Sequence, residues 1–290
     1  MKILNFGSLN IDYVYTVHYF ARPGETLSCN DYEVFAGGKG NNQSIGLARA
    51  GAEVYHAGKL CDKDIWLKEL LDNSGVNTKF IEMTDLPSGH AIIQVNKDGQ
   101  NSIIIFGGAN QQITEAHIER ALGDFSEGDY LLLQNEINDI PKIMQLAHKK
   151  NMIIVFNPAP MTAEVMEYPL DLVNIFIVNE IEGKDLTGCE EPHKILDSMT
   201  AKFPGAATVL TLGEEGVVYN DSAVKIEVSA EKVSPIDTTA AGDCFIGYFL
   251  AGITDGGDIE SSLKTACRAA AICVTRAGAA DSIPLKNETK

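Results

Sequence analysis

The stretch Tyr130-Leu131-Leu132-Leu133-Gln134-Asn135-Glu136 is a short apolar run that closes on polar residues. The same pattern recurs downstream, with helix-like sequence between the runs, at Met152–Phe156, Ile175–Val178 and Thr208–Leu212. Continuous apolar strands that alternate with helices are typical of a parallel sheet covered by helices on both faces. We therefore predict an α/β fold, a Rossmann-like three-layer α/β/α domain. In such sheets ligands bind beyond the carboxyl ends of the strands, which is where these polar residues fall.

The first third of the chain has a different pattern. Alternating, β-branched and aromatic residues occur at Asp12–Val17, Thr26–Phe35, His90–Asn96 and Asn101–Phe106. The segment between the last two, Lys97-Asp98-Gly99-Gln100, fits a hairpin turn. We predict a small antiparallel sheet, with strands from about 12–35 and 90–106, inserted as a β-sheet lid into a single domain of residues 1–290. Such a lid would exclude water from the cleft beneath it.

The composition argues against several classes of function. The formal net charge is −17, with 23 Lys and Arg against 40 Asp and Glu, which argues against a nucleic-acid-binding surface. No apolar run approaches the roughly 20 residues needed to span a bilayer, and the N-terminus reads as a strand without a signal-peptide layout. The six cysteines form no C-x-x-C pair and no zinc spacing. We expect a cytoplasmic protein that binds neither membrane nor nucleic acid.

Near the end of the chain, Asp237-Thr238-Thr239-Ala240-Ala241-Gly242-Asp243 precedes the apolar run Cys244–Ile253. Small residues that open a helix leave N–H groups exposed at the positive end of the helix dipole, which makes an anion site. The carboxylate of Asp243 would repel a bound anion. It has a use if a phosphoryl group is transferred and the carboxylate takes a proton from the acceptor. In this segment alone, a first-turn acidic residue that complements the dipole explains Asp243 equally well.

A second glycine-rich segment, Ala36-Gly37-Gly38-Lys39-Gly40-Asn41-Asn42-Gln43, precedes the helical stretch Ser44–Ala50. Paired glycines allow close backbone approach to a ligand, and Lys39 and Asn42 supply hydrogen-bond donors. The segment is not a P-loop, because G-x-x-x-x-G-K-[ST] does not occur in the chain, and there is no G-x-G-x-x-G dinucleotide fingerprint. In isolation, a glycine turn before a helix accounts for it as well.

Further segments appear in a definite order along nearly the whole chain. They are Gly7-Ser8-Leu9-Asn10-Ile11-Asp12, Pro23-Gly24-Glu25-Thr26, Gly108-Ala109-Asn110, Asn157-Pro158-Ala159-Pro160, Asn179-Glu180 and Val274-Thr275-Arg276-Ala277-Gly278-Ala279. Together with the two glycine-containing segments, they resemble the ribokinase-like (PfkB) carbohydrate kinase family. The resemblance implies an ATP-dependent kinase that transfers a phosphoryl group in line to a free sugar, with D-ribose as the expected acceptor. Another free sugar such as 2-deoxyribose, a nucleoside, or a non-catalytic sugar- or nucleotide-binding regulator remain open alternatives.

The resemblance also implies roles for individual positions. Asp243 would be the base that accepts the proton of the sugar hydroxyl, and backbone N–H groups would stabilise the charge on the transferred phosphoryl group. These N–H groups belong to Ala240, Ala241, Gly242 and Asp243. The sugar contacts would fall on Asn10, Asp12, Gly38, Lys39, Asn42 and Glu136. Carboxylate and amide side chains suit a polyol, whose hydroxyl groups both donate and accept.

The nucleotide and cation sites are implied in the same way. ATP would lie against Asn179, Thr211, Gly213 and Gly216. Mg²⁺ would be held by Asn179 and Glu182, largely through water; a carboxylate at a helix N-terminus is the alternative explanation of Glu182. A K⁺-like activator would take the carboxylate of Asp237, the hydroxyl of Ser282 and the backbone carbonyl groups of Thr239, Cys273, Arg276 and Gly278.

The residues in the sugar set bear on the substrate. The carboxylates of Asp12 and Glu136 argue against a sugar phosphate, because Lys39 alone would not offset the repulsion. A nucleoside would need an apolar wall for its base, which only the lid residues Phe35, Ile92, Ile104 and Phe106 could supply. We therefore expect ATP and a free pentose as partners, and a homodimer formed through the lid strands.

Overall fold

The computed structural model describes residues 1–29 and 31–289. In chain order its strands are β1 (Ile3–Phe6), β2 (Asn10–Thr16), β3 (Asp31–Gly37), β4 (Val54–Cys61), β5 (Asn77–Thr84), β6 (Gly89–Val95), β7 (Asn101–Phe106), β8 (Tyr130–Gln134), β9 (Ile153–Asn157), β10 (Ile175–Asn179), β11 (Ala207–Thr211), β12 (Val217–Asn220) and β13 (Lys225–Val228). Its helices are α1 (Lys39–Ala50), α2 (Ile65–Asn73), α3 (Glu115–Leu122), α4 (Ile140–Lys149), α5 (Glu180–Thr187), α6 (Pro192–Lys202), α7 (Ala241–Thr254) and α8 (Ile259–Val274).

The main sheet has nine strands in the order β13-β12-β11-β10-β9-β8-β1-β4-β5. Neighbouring strands from β11 through to β5 pair in parallel. The strands β12 and β13 add an antiparallel edge. Because parallel strands end at the same edge, the polar residues that follow them collect on one side of the molecule.

The core lies on both faces of this sheet. In β1, Ile3 packs in the cluster formed with α1, α2, α7 and α8, whereas Leu4 and Phe6 pack in the cluster formed with α3 to α6. The apolar residues of β8 alternate between the two clusters in the same way. The predicted three-layer α/β/α fold is therefore confirmed, and the continuous apolar runs follow from burial on both faces.

The small sheet contains four strands in the order β3-β2-β6-β7. It confirms the small sheet expected from the first third of the chain, but two details of that prediction are wrong. The sheet is mixed rather than antiparallel, because β2 and β6 pair in parallel. Thr26 to Cys29 do not belong to a strand, and β3 begins only at Asp31. Within residues 1–29 and 31–289, no helix has the length and apolar character to cross a membrane.

Candidate active site

Polar residues from neighbouring strands meet at the carboxyl edge of the main sheet. Gln134 ends β8, Asn157 ends β9, Asn179 ends β10 and Thr211 ends β11. A cavity of about 260 Å³ opens between this edge and the start of α7. Of the predicted site residues, it is lined by Lys39, Asn179, Glu182, Thr211, Ala240, Ala241, Gly242 and Asp243.

Asp243 lies in the first turn of α7 and is 9% exposed. Asn42 Nδ2 donates a hydrogen bond to Asp243 Oδ2 at 3.1 Å. Gln43 Nε2 donates to Asp243 Oδ1 at 2.9 Å. The carboxylate is thus held by both oxygen atoms at the wall of the cavity. A carboxylate in this position can accept a proton from a hydroxyl group placed within hydrogen-bond reach.

The chain enters α7 through Ala240, which adopts a left-handed conformation with φ of 59°. Its carbonyl accepts from Cys244 N at 2.8 Å, and Ala241 N donates to Thr238 O at 3.3 Å. The first N–H groups of a helix have no acceptor within the helix. Apart from its chain neighbours and the backbone of its own helix, a Cβ atom added to Gly242 would meet no atom within 4 Å. The start of α7 therefore combines N–H donors with open space, as an anion site requires.

Two of the predicted sugar contacts are joined below the small sheet. Lys39 N donates to Glu136 Oε2 at 2.9 Å, and Ser8 Oγ donates a short hydrogen bond to the same oxygen. Gly38 immediately precedes α1 with φ of 91°, a conformation that favours glycine. The backbone turn at Gly38 therefore places the Lys39 N–H against the carboxylate that follows β8.

Asn10 and Asp12 approach the same region from β2. Asn10 Oδ1 accepts a hydrogen bond from Asn110 Nδ2 at 2.7 Å. A Cβ atom on Gly37 would lie 2.2 Å from an Asp12 carboxylate oxygen, so the glycine leaves room for that side chain. Asp12 and Gly37 lie on the paired strands β2 and β3. The charge of Glu136 acts on the Asp12 carboxylate, so the small sheet brings this carboxylate close to Glu136.

The charges in this region perturb one another. Burial, and then the charge of Glu136, raises the pKa of Asp12 to about 6. Burial also raises the pKa of Glu136, although Lys39 opposes the shift. Burial alone would lower the pKa of Lys39, but the carboxylates of Asp243, Glu136 and Glu182 outweigh it and raise that pKa. One ammonium group therefore faces several carboxylates, which leaves the site rich in acceptors for hydroxyl donors.

Several further residues contact the predicted site, and the sequence prediction assigned them no role. Four of them are Ser8, Gln43, Asn110 and Asn157. Each lies inside a segment that the sequence had already singled out. Their side-chain partners are far away along the chain, so only the segments, and not these contacts, could be found from sequence.

The four positions predicted for ATP fall into two pairs. Asn179 and Thr211 face each other across β10 and β11 and line the cavity. Gly213 begins the short helical turn between β11 and β12, Gly216 follows it, and both lie outside the cavity lining. A Cβ atom on Gly216 would stand 2.1 Å from Val228 O, at a φ of 115°. Glycine at 216 is therefore required by the turn itself.

Asn179 and Glu182 form a capping box at the start of α5. Glu182 N donates to Asn179 Oδ1 at 2.9 Å, and Asn179 N donates to Glu182 Oε2 at 3.0 Å. Burial raises the pKa of Glu182. Within residues 1–29 and 31–289, no group of three or more His, Cys, Asp or Glu side chains could hold a metal ion. A carboxylate already bonded at the cavity wall fits a magnesium ion that is held through water.

The residues predicted for a monovalent cation lie next to one another. Thr239 N donates to Asp237 Oδ1 at 2.9 Å, and Gly278 N donates to Asp237 Oδ2 at 3.0 Å. Cys273 Sγ lies 3.0 Å from Ser282 Oγ, and Arg276 N donates to Cys273 O at 3.1 Å. Burial alone would raise the pKa of Asp237, but hydrogen bonds from Thr239 and Gly278 outweigh it and lower that pKa. An ionised carboxylate at this place fits a hard cation.

The fold and the site define a phosphotransferase, with an anion-binding helix start at the carboxyl edge of an α/β/α sheet and a carboxylate beside it. Residues 1–286 match the pfkB family carbohydrate kinases. The chain belongs to this family and is an ATP-dependent carbohydrate kinase, which confirms the resemblance seen in the sequence.

Relatives and solved structures agree with this assignment. A ribokinase of Haemophilus influenzae is 36% identical, over 98% of this chain and 95% of the relative. The ribokinase of Cryptococcus neoformans, solved in complex with ADP, has a TM-score of 0.88 and 33% identity, over 99% of this chain and 98% of its own. The ribokinase of Arabidopsis thaliana, complexed with ribose and ATP, has a TM-score of 0.86 and 28% identity, over 99% of this chain and 96% of its own.

Proposed function

We propose that the protein phosphorylates D-ribose with MgATP to give D-ribose 5-phosphate, with Asp243 as the general base. The observation that carries the proposal is the position of Asp243. Its carboxylate is bonded to Asn42, one of the predicted sugar contacts, and it lines the same cavity as Asn179 and Thr211, which are predicted to contact ATP. The ribokinases to which the chain is similar support ribose as the acceptor.

In this mechanism the protein positions the two reactants and stabilises charge. Asp243 takes the proton of the sugar's primary hydroxyl group as its oxygen attacks the γ-phosphorus of ATP. The N–H groups at the start of α7 stabilise the charge that develops on the phosphoryl oxygens, at about 2.7–4 kcal/mol for each donor. Bound magnesium would neutralise charge on the phosphates, with Asn179 and Glu182 holding its water ligands. The small sheet would exclude water, which otherwise competes as the acceptor.

The charges favour a free sugar over a sugar phosphate. Asp12 makes no salt bridge among the ion pairs of the described residues, and Glu136 takes its donors from Ser8 and Lys39. A phosphate group on the sugar would meet two carboxylates and a single ammonium group there. Sugar hydroxyl groups, in contrast, can donate to both carboxylates and accept from Lys39.

The base is tested by changing Asp243 to Asn. We expect D243N to bind ATP and sugar normally, by calorimetry, and to lose a factor of about 10² or more in turnover, because an amide cannot accept the proton. Near-normal turnover would contradict the mechanism.

The acceptor is tested by following ADP release with ribose, 2-deoxyribose, hexoses, nucleosides and phosphosugars. Preferred turnover of a phosphosugar would overturn the argument from Asp12 and Glu136.

We also propose that a monovalent cation such as K⁺ activates the enzyme from the site around Asp237. Asp237 and Thr239 begin the segment that leads through Ala240 into α7. A cation that fixes the backbone of this segment would fix the N–H donors at the start of the helix. The cation would thus act on the geometry of the anion site without touching either substrate.

We further propose that two copies associate through the small sheet. Tyr13, Ile92 and Ile104 lie side by side on the sheet face opposite Asp12. The outer apolar side chains on this face are exposed, Ile92 at 37%, Ile104 at 64% and Phe106 at 50%. An exposed apolar face beside an edge strand is typical of an interface between chains. A second copy offers the same apolar face, so the contact is self-complementary.

The dimer is tested by light scattering after gel filtration. We expect I104E to shift the protein toward a monomer. V224E changes an equally apolar residue, 46% exposed and outside the small sheet, and should leave the dimer intact. A wild-type protein that is monomeric at micromolar concentration would rule out this interface.

A further inference from the structure

A chain of buried amides runs beneath the carboxylate of Asp243. Its members lie on β1, β8 and α1, on the face of the main sheet that α1 covers. Asn5, Gln43 and Gln134 are each 0% exposed. Fully buried side-chain amides are uncommon, because each polar atom must find a partner or cost free energy. Apolar residues fill the positions two residues earlier on the same strands, Ile3 on β1 and Leu132 on β8.

The hydrogen bonds of this chain have one direction. Asn5 Nδ2 donates to the backbone carbonyl of Gly40 at 2.8 Å. The oxygen of Asn5 accepts from Gln134 Nε2 at 2.9 Å, and the same nitrogen donates to Gln43 Oε1 at 2.7 Å. Gln43 Nε2 is then left to donate to Asp243 Oδ1 at 2.9 Å.

The orientation of Asn5, the first amide of this network, sets the direction of all its hydrogen bonds. A backbone carbonyl can only accept, so the nitrogen of Asn5 must face Gly40 and its oxygen must face Gln134. Each following amide is oriented by the one before it. Reversing Gln134 would place its oxygen against the oxygens of both Asn5 and Gln43. The network of amides therefore always presents an N–H group, never an oxygen, to Asp243.

A branch of this network of amides ends at a histidine that carries no charge. Asn5 Nδ2 also donates to Ser44 Oγ at 2.8 Å, and Ser44 Oγ lies 2.8 Å from His56 Nδ1. Burial lowers the pKa of His56 to about 3, so the imidazole is neutral. The network around Asp243 thus brings in no second charge from this side, and the amides act only as oriented dipoles.

We propose that Gln43 and Gln134 are positioning residues for the base. They fix the rotamer of Asp243 and keep a donor on Oδ1, while Asn42 supplies the donor on Oδ2. The carboxylate is thereby held ready to accept a proton in the direction of the cavity. This inference rests on the proposed role of Asp243 as base.

The test compares the steady-state kinetics of Q43L and Q134L with those of wild type. In Q43L we expect kcat to fall roughly tenfold or more, because the base is no longer held in position, while the KM values for ATP and ribose stay within about twofold. A fall in kcat without a change in KM separates a positioning role from a loss of binding. Q134L keeps the amide of Gln43 but removes the N–H group that orients it, so we expect a smaller fall in kcat than in Q43L.

N174A is the matched control. Asn174 is another amide that holds a backbone group, Ile154 N at 2.7 Å, but it lies before β10, at the opposite edge of the sheet. We expect N174A to lower the melting temperature without lowering the kcat of the folded enzyme. Melting curves of all variants separate loss of folded enzyme from loss of function.

The outcomes distinguish the two proposals. An inactive D243N together with Q43L and Q134L variants that keep the wild-type kcat would overturn the positioning role of the amides alone. A D243N variant with near-normal turnover would overturn the base and the positioning role together. If Q43L does not fold, Q134L decides, because it leaves the contact with Asp243 in place.

Discussion

Gly46 of α1 and Gly247 of α7 lie in direct contact: a Cβ atom on Gly247 would stand 2.6 Å from the carbonyl carbon of Gly46. The two helices can approach this closely only because side chains are absent at the crossing. Asn42 and Gln43 lie about one turn before Gly46, and Asp243 lies about one turn before Gly247. The glycine contact therefore determines whether the amides of α1 reach the carboxylate of α7.

Gly247→Ala should disrupt this contact. The added methyl group would meet backbone atoms, which cannot rotate away, so the helices must separate. We expect G247A to lose about 1–3 kcal/mol of stability by overpacking and to lose at least tenfold in kcat, the equivalent of one 1.4 kcal/mol interaction at the base. Thermal unfolding and steady-state kinetics measure the two effects.

Gly46→Ala is the matched control from the other side of the same contact. A Cβ atom on Gly46 would lie 3.4 Å from its nearest neighbour, Asp243 O, which the packing can accommodate with little movement. Alanine also has the higher helix propensity, by about 0.8–1 kcal/mol in a helix interior. We expect G46A to be near wild type in stability and activity. Equal effects of G46A and G247A would show that the crossing does not set the geometry of the site.

The fold class could be predicted because the strand at Tyr130–Gln134 and the later parallel strands are buried on both faces. Strands buried in this way consist almost entirely of apolar residues, which is visible in the sequence. The same holds for the segments that form the site. It was not sufficient for the contacts among them. Gln43 and Gln134 are 91 residues apart, and their hydrogen bond depends on the register of β8 against β1 and on the position of α1.

The small sheet shows the same limit. Alternation identified its strands, but alternation is equal in parallel and antiparallel ladders, so the parallel pairing of β2 with β6 left no mark in the sequence. The strand predicted from Thr26 was too long for a related reason: residues with high strand propensity form a strand only where a partner lies beside them.

Asp12→Asn should raise stability and lower affinity for the sugar. The pKa of Asp12 is raised to about 6 in the folded protein, so the folded state is penalised as pH rises from the ordinary value of 3.8 through 6. Removing the charge should therefore stabilise the protein by about 1–3 kcal/mol above pH 7 and have no effect near pH 4. Urea unfolding at both pH values measures this.

The KM for ribose in D12N should rise at least tenfold, since a carboxylate that accepts from the sugar is lost. For the same reason, wild-type affinity for ribose should weaken below about pH 6, where Asp12 takes up a proton. An Asp12→Asn variant with unchanged KM would remove Asp12 from the sugar site. A gain in stability that is the same at pH 4 and pH 8 would contradict the buried charge.

Glu182→Gln should weaken the response to magnesium while leaving the helix cap largely in place. A glutamine oxygen can still accept from Asn179 N, so α5 should lose no more than about 1 kcal/mol. The negative charge beside the cavity is lost, and outer-sphere ligands typically account for 10- to 100-fold in metal affinity. We expect the magnesium concentration for half-maximal rate to rise about tenfold. D185N, an exposed change on the same helix, should not shift it.

Asp237→Asn should uncouple the enzyme from potassium. Both carboxylate oxygens of Asp237 accept backbone N–H groups, from Thr239 and Gly278. An asparagine can accept only one of them and would direct its own NH₂ group at the other, so the loop before α7 should lose its fixed shape as well as its charge. The rate in KCl relative to choline chloride should fall to near one in D237N, while D281N, exposed on the neighbouring segment, should keep the wild-type ratio. Full activation by KCl in D237N would place the cation elsewhere.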